Sequence, residues 1–245
     1  MSKYCFIIPN YNHHQQIQEV VAALGAFNLP IIMVNDASNQ TTRTVLEALE
    51  QETPRLKLVH HQRNQGKGGA VQTGLKVAHE LGFTHALQID ADGQHNLADI
   101  APMLALSEAN PQAVISGAPE FDDSIPKHRF ISRYITHFWV TIETLSFALK
   151  DTMCGFRVYP LAPCNALQKK VSLGKRMDFD IEILVRLYWQ QTPIIFKSTK
   201  VTYPEDGASH FKLFRDNLLI SWMHTRLFFG MLLRIPSLLR RKFPL

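Results

Sequence analysis

Cysteine is scarce in this chain. Its 245 residues include three, Cys5, Cys154 and Cys164, an odd number without metal-ligand spacing. That argues against a disulfide framework and fits a reducing compartment. Long uncharged apolar runs are missing too. The two most apolar stretches, 128–149 and 211–234, are interrupted by arginine and histidine. Neither offers the ~18 uncharged residues that suggest a membrane span. No internal repeat or low-complexity segment is visible, which sets aside solenoid and linker classes. Charged residues make up only 19% of the chain and hydrophobic ones 46%, a balance that excludes a disordered protein and suits one sizeable core. No signal peptide is expected, because a strand-like run begins at once with Tyr4-Cys5-Phe6-Ile7-Ile8.

The net charge of +5 is unevenly placed: residues 211–245 carry seven Lys and Arg against Asp216 alone, an excess of +6 that leaves the first 210 residues near −1. Basicity is therefore a property of the tail, which speaks against a nucleic-acid-binding surface spread over the fold. The tail is also rich in Leu, Phe, Met and Trp, a combination suited to an anionic membrane surface. Residues 128–149 add Phe130, Tyr134, Phe138, Trp139 and Phe147 beside Arg129 and Arg133. Burial against the fold is the plainer reading of both stretches; lying among lipid headgroups is the sharper one.

Strand and helix patterns alternate up to about residue 118. Apolar runs at 4–8, 30–34, 56–60, 84–89 and 113–117 are separated by helical stretches, of which Ala70, Val71, Leu75, Ala78 and Leu81 show the clearest one-faced spacing. Alternation of this kind predicts an α/β fold, a mostly parallel sheet with helices on both faces. Ligands then bind beyond the carboxyl ends of the strands. Residues 119–127 read as a loop.

The most informative motif closes the fourth apolar run. Asp90-Ala91-Asp92-Gly93-Gln94-His95 places two carboxylates one residue apart at a strand's end. That makes a poor core and a good seat for a hard cation; Mg²⁺ prefers oxygen ligands and is usually shared with substrate phosphates. An acidic Asx-turn is the alternative. The earlier strands end in comparable sites. After the first, Tyr11 suits base stacking while Pro9 fixes a turn. After the second, Asp36 suits a base N–H or a helix cap. After the third comes Gln65-Gly66-Lys67-Gly68-Gly69-Ala70. Glycines opening a helix let backbone N–H groups approach an anion, and Lys67 adds charge; a ligand-free glycine-rich cap is the plainer reading. The spacing fits neither a Walker A sequence nor a dinucleotide fingerprint.

Together these residues resemble the family 2 glycosyltransferases of GT-A fold, and most nearly the dolichyl-phosphate mannosyltransferase-like subgroup, over about residues 4–210. Pro9, Tyr11 and Asn12 match the family's Pro-x-Tyr-Asn, Asp36 its acidic residue after strand two, Gly66 to Ala70 its Gly-Lys-Gly-x-Ala, and Asp90, Asp92 and Gln94 its Asp-x-Asp-x-Gln. The resemblance implies a nucleoside diphosphate sugar bound by Pro9, Tyr11, Asn12, Asp36, Gly66, Lys67, Gly68 and Asp90. It also implies Mg²⁺ or Mn²⁺ held near Asp92 and Gln94.

Further matches lie in the second half. Arg129-Phe130-Ile131-Ser132-Arg133 resembles the family's Arg-x-x-Ser-Arg, Asp151 to Arg157 its Asp-x-x-Ser-Gly-Phe-Arg with Cys154 for Ser, Phe179 to Glu182 its Phe-x-x-Glu, and Gly207 to His210 its Gly-x-Ser-Lys with His210 for Lys. These imply catalytic roles for Asp180, Glu182, Asp151 and Arg157, and acceptor or phosphate contacts for Arg129, Arg133, Ser209 and His210. Plainer readings pair Asp151 with Arg157 and leave Glu182 and Arg186 as a solvated i,i+4 pair.

The chemistry implied is inverting displacement through an oxocarbenium-like state, with charge growing on the departing diphosphate. A hydroxyl acceptor then needs a general base, for which Asp180 and Glu182 are the candidates and Asp178 the third; a lipid phosphate needs none. The chain departs from the lipid-phosphate pattern: Ser116-Gly117-Ala118-Pro119 lacks an arginine, Pro204 to His210 lacks an arginine and a lysine, and His13 stands where Glu is frequent. The acceptor therefore stays open between a polyprenyl phosphate and a lipid hydroxyl. The expected organisation is a catalytic domain over 1–210 and a basic, apolar, helical, membrane-associating segment over 211–245, peripheral on the inner face of the cytoplasmic membrane. A sugar nucleotidyltransferase is the alternative, disfavoured because Asn10-Tyr11-Asn12-His13-His14 is no glycine-rich basic loop. A catalytically silent membrane-bound scaffold is a third reading.

Overall fold

A computed structural model describes residues 2–120, 127–200 and 212–241, with the backbone alone over 127–131. Strands β1 (Tyr4–Asn10), β2 (Ile31–Asn35), β3 (Leu56–His60), β4 (His85–Gln88), β5 (Val114–Glu120), β6 (Arg157–Pro160) and β7 (Ile194–Lys200) form one mixed sheet in the order β3-β2-β1-β4-β6-β5-β7. The helices are α1 (Ile17–Leu24), α2 (Gln40–Glu52), α3 (Lys67–Glu80), α4 (Ile100–Ala109), α5 (Lys127–Thr144), α6 (Leu161–Lys170), α7 (Phe179–Trp189), α8 (Leu213–Leu232) and α9 (Ile235–Arg240).

Period-two alternation along β1 divides the core. Tyr4, Phe6 and Ile8 face one side, where Ile17 and Val20 of α1, Leu46 of α2 and Met103 of α4 cover them. Cys5 and Ile7 face the other, with Val71 and Leu75 of α3, Leu161 of α6 and Ile183 of α7. The mostly parallel sheet with helices on both faces is thus as the alternation predicts. Leu81 breaks the expected stripe: it lies just past the end of α3 and is 49% exposed.

Two strands were not legible. β6 is four residues long, runs antiparallel to both β4 and β5, and begins with arginine. β7 pairs with β5 at the sheet's edge and turns polar after Phe196. The antiparallel insertion has a consequence for the site. β6 starts where β4 ends, with Arg157 opposite Gln88, so the segment 151–157 arrives beside Asp90. Residues 119–127 begin as the end of β5 and close as the start of α5; 121–126 lie outside the described residues.

A third apolar cluster joins α5, α7 and α8 through Val140, Ile181, Val185, Met223 and Leu227. One face of α8 is therefore core. Its other face shows Leu213, Phe214, Leu218, Trp222, Phe229 and Leu232 to solvent. Among the described residues, no helix is long and apolar enough to cross a membrane.

Candidate active site

The parallel strands bring their carboxyl ends to one edge, and that edge is where the charged side chains gather. The end of β1 differs from expectation. Pro9 is a buried strand residue in register with Val34, not the turn itself. It is tolerated because β4 has ended opposite Ile7, leaving no strand on that side to miss its N–H. Asn10 and Asn12 make the turn. Asn10 Nδ2 donates to the His13 carbonyl (2.9 Å). Asn12, at φ 59°, accepts the Asn39 N–H on its Oδ1 (2.8 Å). Tyr11 sits half-buried between them.

Asp36 is 2% exposed and acts inside the protein. Its Oδ1 accepts the Gln65 N–H (2.7 Å) and lies 2.7 Å from His61 Nδ1; its Oδ2 accepts the Gly66 N–H (2.7 Å). The helix-cap reading fails, because Asn39 caps α2 by accepting the Thr42 N–H (2.9 Å). Asp36 instead shapes the loop that opens α3. His61 was missed; it follows β3 as Asp36 follows β2, and the register Asn35↔His60 makes the two neighbours.

The glycines of that loop are needed mainly by the protein itself. Gly66 has φ +91°, and a Cβ there would stand 2.6 Å from the Lys175 carbonyl; one on Gly68 would run into Phe179. The Gly69 N–H donates to the Lys175 carbonyl (2.8 Å). The Gly66 N–H is taken by Asp36 and the Gly69 N–H by the 174–179 segment. The glycine-rich turn is thus also a close-packed joint.

Lys67 is what that joint delivers. Its Nζ lies 2.8 Å from Asp90 Oδ2 and 3.2 Å from Asp180 Oδ2. Burial alone disfavours the ammonium, yet the carboxylates of Asp180 and Asp90 outweigh it and hold Lys67 charged well above the ordinary lysine range. Asp90 is pushed the other way. Burial opposes its charge, but Lys67 and then His95 hold it ionised, well below the usual carboxylate range. His95 Nε2 lies 3.4 Å from Asp90 Oδ2 and its ring stacks on Phe156 at 4.9 Å. Gly155 packs on the cluster: a Cβ there would stand 2.7 Å from Lys67 Nζ and from Gln88 Nε2.

Asp92 and Gln94 continue outward from this pair, both half-buried. Asp92 Oδ1 accepts the Gln94 N–H (3.1 Å), so the motif is also an Asx-turn, one that fixes the Asp92 carboxylate. No group of three or more His, Cys, Asp or Glu converges among the described residues.

The later motifs separate into those that reach the cluster and those that do not. Asp180 reaches it; its Oδ1 is buried, has no hydrogen-bond partner among the described residues, and lies 4.0 Å from Arg157 Nη1. Glu182, two residues on, points elsewhere, as helical neighbours at that spacing do. It is fully buried, not a solvated face: Oε2 accepts from the Gly174 N–H (2.7 Å) and Arg226 (3.2 Å), and Oε1 from Arg186 (2.8 Å). Asp151 pairs with Arg133 (2.6 Å), not with Arg157, and its Oδ1 accepts the N–H groups of Met153 and Cys154. Arg157 is fully buried. It donates to the carbonyls of Asp180 (2.7 Å) and Thr152 (2.8 Å), to Ser116 Oγ and to Tyr159 Oη (both 3.2 Å). Burial, with the Asp151 carboxylate beside it, pushes the Cys154 thiol up to about 12, as befits a packing residue. The side chain of Arg129, and all of Ser209 and His210, lie outside the described residues.

Relatives share both the sequence and the architecture. The UDP-N-acetylglucosamine–dolichyl-phosphate N-acetylglucosaminyltransferase of Methanococcus voltae is 29% identical over 196 residues, spanning 73% of this chain and 77% of that protein. A dolichyl-phosphate beta-glucosyltransferase of Trichomonas vaginalis is 28% identical over 229 residues, 85% of this chain and 66% of its own length. The crystal structure of glucosyl-3-phosphoglycerate synthase from Mycobacterium tuberculosis, in complex with phosphoglyceric acid, has a TM-score of 0.67 at 12% identity, covering 94% of this chain and 80% of that one. The mannosyltransferase PcManGT of Pyrobaculum calidifontis, in complex with GDP-Man and Mn²⁺, has a TM-score of 0.58 at 16% identity, covering 84% and 58%. The two structures show a shared GT-A fold. The sequence pattern described as Glycosyl transferase family 2 matches residues 5–176, most of the chain and the ends of β1 to β4, though not α7 with Asp180, and the chain therefore belongs to glycosyl transferase family 2 and is a glycosyltransferase.

Proposed function

We propose that this glycosyltransferase moves a sugar, with inversion, from a nucleoside diphosphate sugar to a lipid-linked phosphate. It would do so with Mg²⁺ or Mn²⁺, attached peripherally at the cytoplasmic face of a membrane. The observation that carries the reading is the Lys67–Asp90–Asp180 cluster, set two residues from Asp92 at the carboxyl edge of the sheet. Lipid phosphate is supported by the two relatives, both named as dolichyl-phosphate transferases.

The residues fit a divalent cation. Asp90 is engaged by Lys67 and His95, which leaves Asp92, half-buried and fixed by its turn to the Gln94 N–H, to offer carboxylate oxygen, with the half-buried Gln94 side chain as a second oxygen donor of the motif. A site with so few protein oxygens suits an ion shared with diphosphate oxygens, and PcManGT was solved with GDP-Man and Mn²⁺. When bound, such an ion supplies positive charge to the diphosphate as it leaves. Lys67 holds Asp90 and Asp180 at a fixed spacing beneath the donor. An acceptor oxygen attacks the anomeric carbon, the bond to the diphosphate breaks, and its electron pair leaves with the diphosphate. A lipid phosphate brings an ionised oxygen and releases no proton. A hydroxyl must give one up, and Asp180 Oδ1 is the carboxylate oxygen at hand.

Asp180→Asn therefore distinguishes the acceptors. With a prenyl phosphate and saturating donor, turnover should fall less than about tenfold. A fall of ~10²–10⁴-fold, the span of general base catalysis, would contradict a phosphate acceptor and favour a hydroxyl.

Membrane attachment is supported by the exposed apolar faces of α5 and α8. Tyr134 and Phe138 of α5 and Phe214, Leu218 and Trp222 of α8 are all more than half exposed, and exposed apolar surface of this kind marks interaction sites. The tail's charge contributes less than its count suggests. Arg226 binds Glu182, Arg241 donates to the Tyr188 and Trp189 carbonyls, and Arg234 stacks on Trp189. Lys212, Arg215 and Arg240 remain exposed. The chain should float with vesicles containing anionic lipid, and the triple change Phe214→Ser, Leu218→Ser, Trp222→Ser should weaken partition at least ~10-fold. Absence of wild-type flotation would contradict the attachment.

A further inference from the structure

Asp36 and His61 form a buried network at the ends of three neighbouring strands. The Asp36 N–H extends the ladder toward β1 by donating to the Asn10 carbonyl (2.9 Å), and the His61 N–H extends it toward β2 by donating to the Asn35 carbonyl (2.9 Å). The two side chains therefore meet. The imidazole, 6% exposed, lies with Nδ1 2.7 Å from Asp36 Oδ1 and Nε2 2.9 Å from Oγ1 of Thr73 on α3. A carboxylate oxygen only accepts, so Nδ1 carries a proton. The Thr73 hydroxyl both donates and accepts, so it satisfies Nε2 in either protonation state. Turning the ring over would lose both contacts. The transfer chemistry proposed above makes no use of His61.

What His61 fixes is the carboxylate that shapes the glycine turn. Asp36 accepts the N–H groups of Gln65 on Oδ1 and of Gly66 on Oδ2 (both 2.7 Å), and its carbonyl accepts from Asn64 Nδ2 (3.2 Å). The turn has little restraint of its own, because Gly66 sits at φ +91° in a region that glycine enters freely. The terminal torsion of an aspartate is broad. Without His61 the Asp36 carboxylate could rotate, and the two amides would lose their fixed acceptors. The far side of the turn is anchored separately. There the Lys175 carbonyl accepts from Gly69, and Phe179 packs on Gly68. Lys67 begins α3 between these anchors, so its reach to Asp90 and Asp180 is held apart from His61.

We propose that His61 is a positioning residue for the sugar donor: by locking Asp36 it fixes the 64–66 turn, against which the nucleoside end of a nucleoside diphosphate binds. That role rests on the reading above in which the donor is a nucleoside diphosphate sugar. His61 itself touches neither donor nor acceptor. The nucleoside is held alike before and during transfer. Loss of His61 should therefore weaken donor binding and leave the chemical step nearly unchanged, the pattern of uniform binding.

The test measures the affinity of the full chain for UDP, GDP, CDP, ADP and dTDP by calorimetry, and donor KM and kcat by nucleoside diphosphate release in the presence of native membrane lipids. Wild type should bind at least one of the five. His61→Leu should weaken that binding and raise donor KM at least ~10-fold, the scale of a lost hydrogen bond to a charged group, with kcat within about threefold of wild type. His61→Asn, whose amide can donate to Asp36 in place of Nδ1, should recover most of the affinity. Thr73→Val, nearly isosteric and at a half-buried position, should weaken binding in the same direction, and Thr73→Ser should restore it. That pair reports on the network even if His61→Leu fails to fold. Met103→Ala, on the core face of α4, controls for stability alone: its thermal midpoint should fall while its affinity stays at the wild-type value. Wild-type affinity in both His61→Leu and Thr73→Val, equal losses in His61→Asn and His61→Leu, or a fall in kcat with KM unchanged would each overturn the role of His61 while the donor reading stands. Absence of wild-type binding to all five would overturn the donor reading itself, and the role of His61 with it.

Discussion

Replacing Asp92 with asparagine is expected to lower sugar transfer by at least ~10²-fold while leaving the thermal unfolding midpoint within a few degrees of wild type. The size follows from removing one preorganised charge-stabilising contact at a developing anion, worth ~2.7–4 kcal/mol. The fold should survive because Asp92 is half-buried and its described hydrogen bond is the local turn to Gln94, which asparagine can also make. Chelation of the wild type should reproduce the loss, and added Mg²⁺ or Mn²⁺ should reverse it. Single-turnover transfer with saturating donor is the measurement. Full activity in a chelator, or an Asp92→Asn enzyme within threefold of wild type, would remove the cation from the mechanism.

The second large effect is on stability, not chemistry. Arg157→Leu should cost ~3–5 kcal/mol, the range for breaking a buried charged network by removing one partner. Four oxygens are left behind: the Asp180 and Thr152 carbonyls, Ser116 Oγ and Tyr159 Oη. None of these groups sits at the surface, so water cannot readily replace the guanidinium. At this chain length, each kcal/mol corresponds to ~2–4 °C, so the midpoint should fall by ~6–20 °C. Urea unfolding and a thermal scan measure it. A loss below ~1 kcal/mol would mean that Arg157 does not bind the sheet, the 151–156 turn and α7 together. The contrast with Asp92→Asn is informative in itself: two motif residues, one expected to fail in turnover and the other in folding.

The sequence made the edge of the sheet legible but not how its residues meet. Asp90 and Asp92 could be read because an apolar strand closes on acids, a local pattern. The glycines around Lys67 were visible too, but their reason was not. Gly66 and Gly68 are small because Lys175, Arg176 and Phe179 press on them, and contacts between distant segments leave no periodicity. For the same cause the Lys67–Asp180 pair was hidden, although both residues stood out singly. Asp180 and Glu182 looked equivalent as acids in one helical motif. The helix turned one toward Lys67 and the other into a buried cage of Arg186, Arg226 and Gly174. β6 was invisible because four residues beginning with arginine carry no strand signal of their own; pairing with β4 and β5 creates the strand, and burial in the sheet makes Arg157 structural.

The central claim is tested most directly by mass spectrometry of the lipid fraction after the wild-type chain is incubated with a panel of nucleotide sugars and native membrane lipids. The account predicts one glycosylated prenyl phosphate, formed in step with release of a nucleoside diphosphate and dependent on Asp92 and a divalent cation. Nucleoside diphosphate release with sugar appearing only on water-soluble acceptors, and none in the lipid fraction, would contradict it.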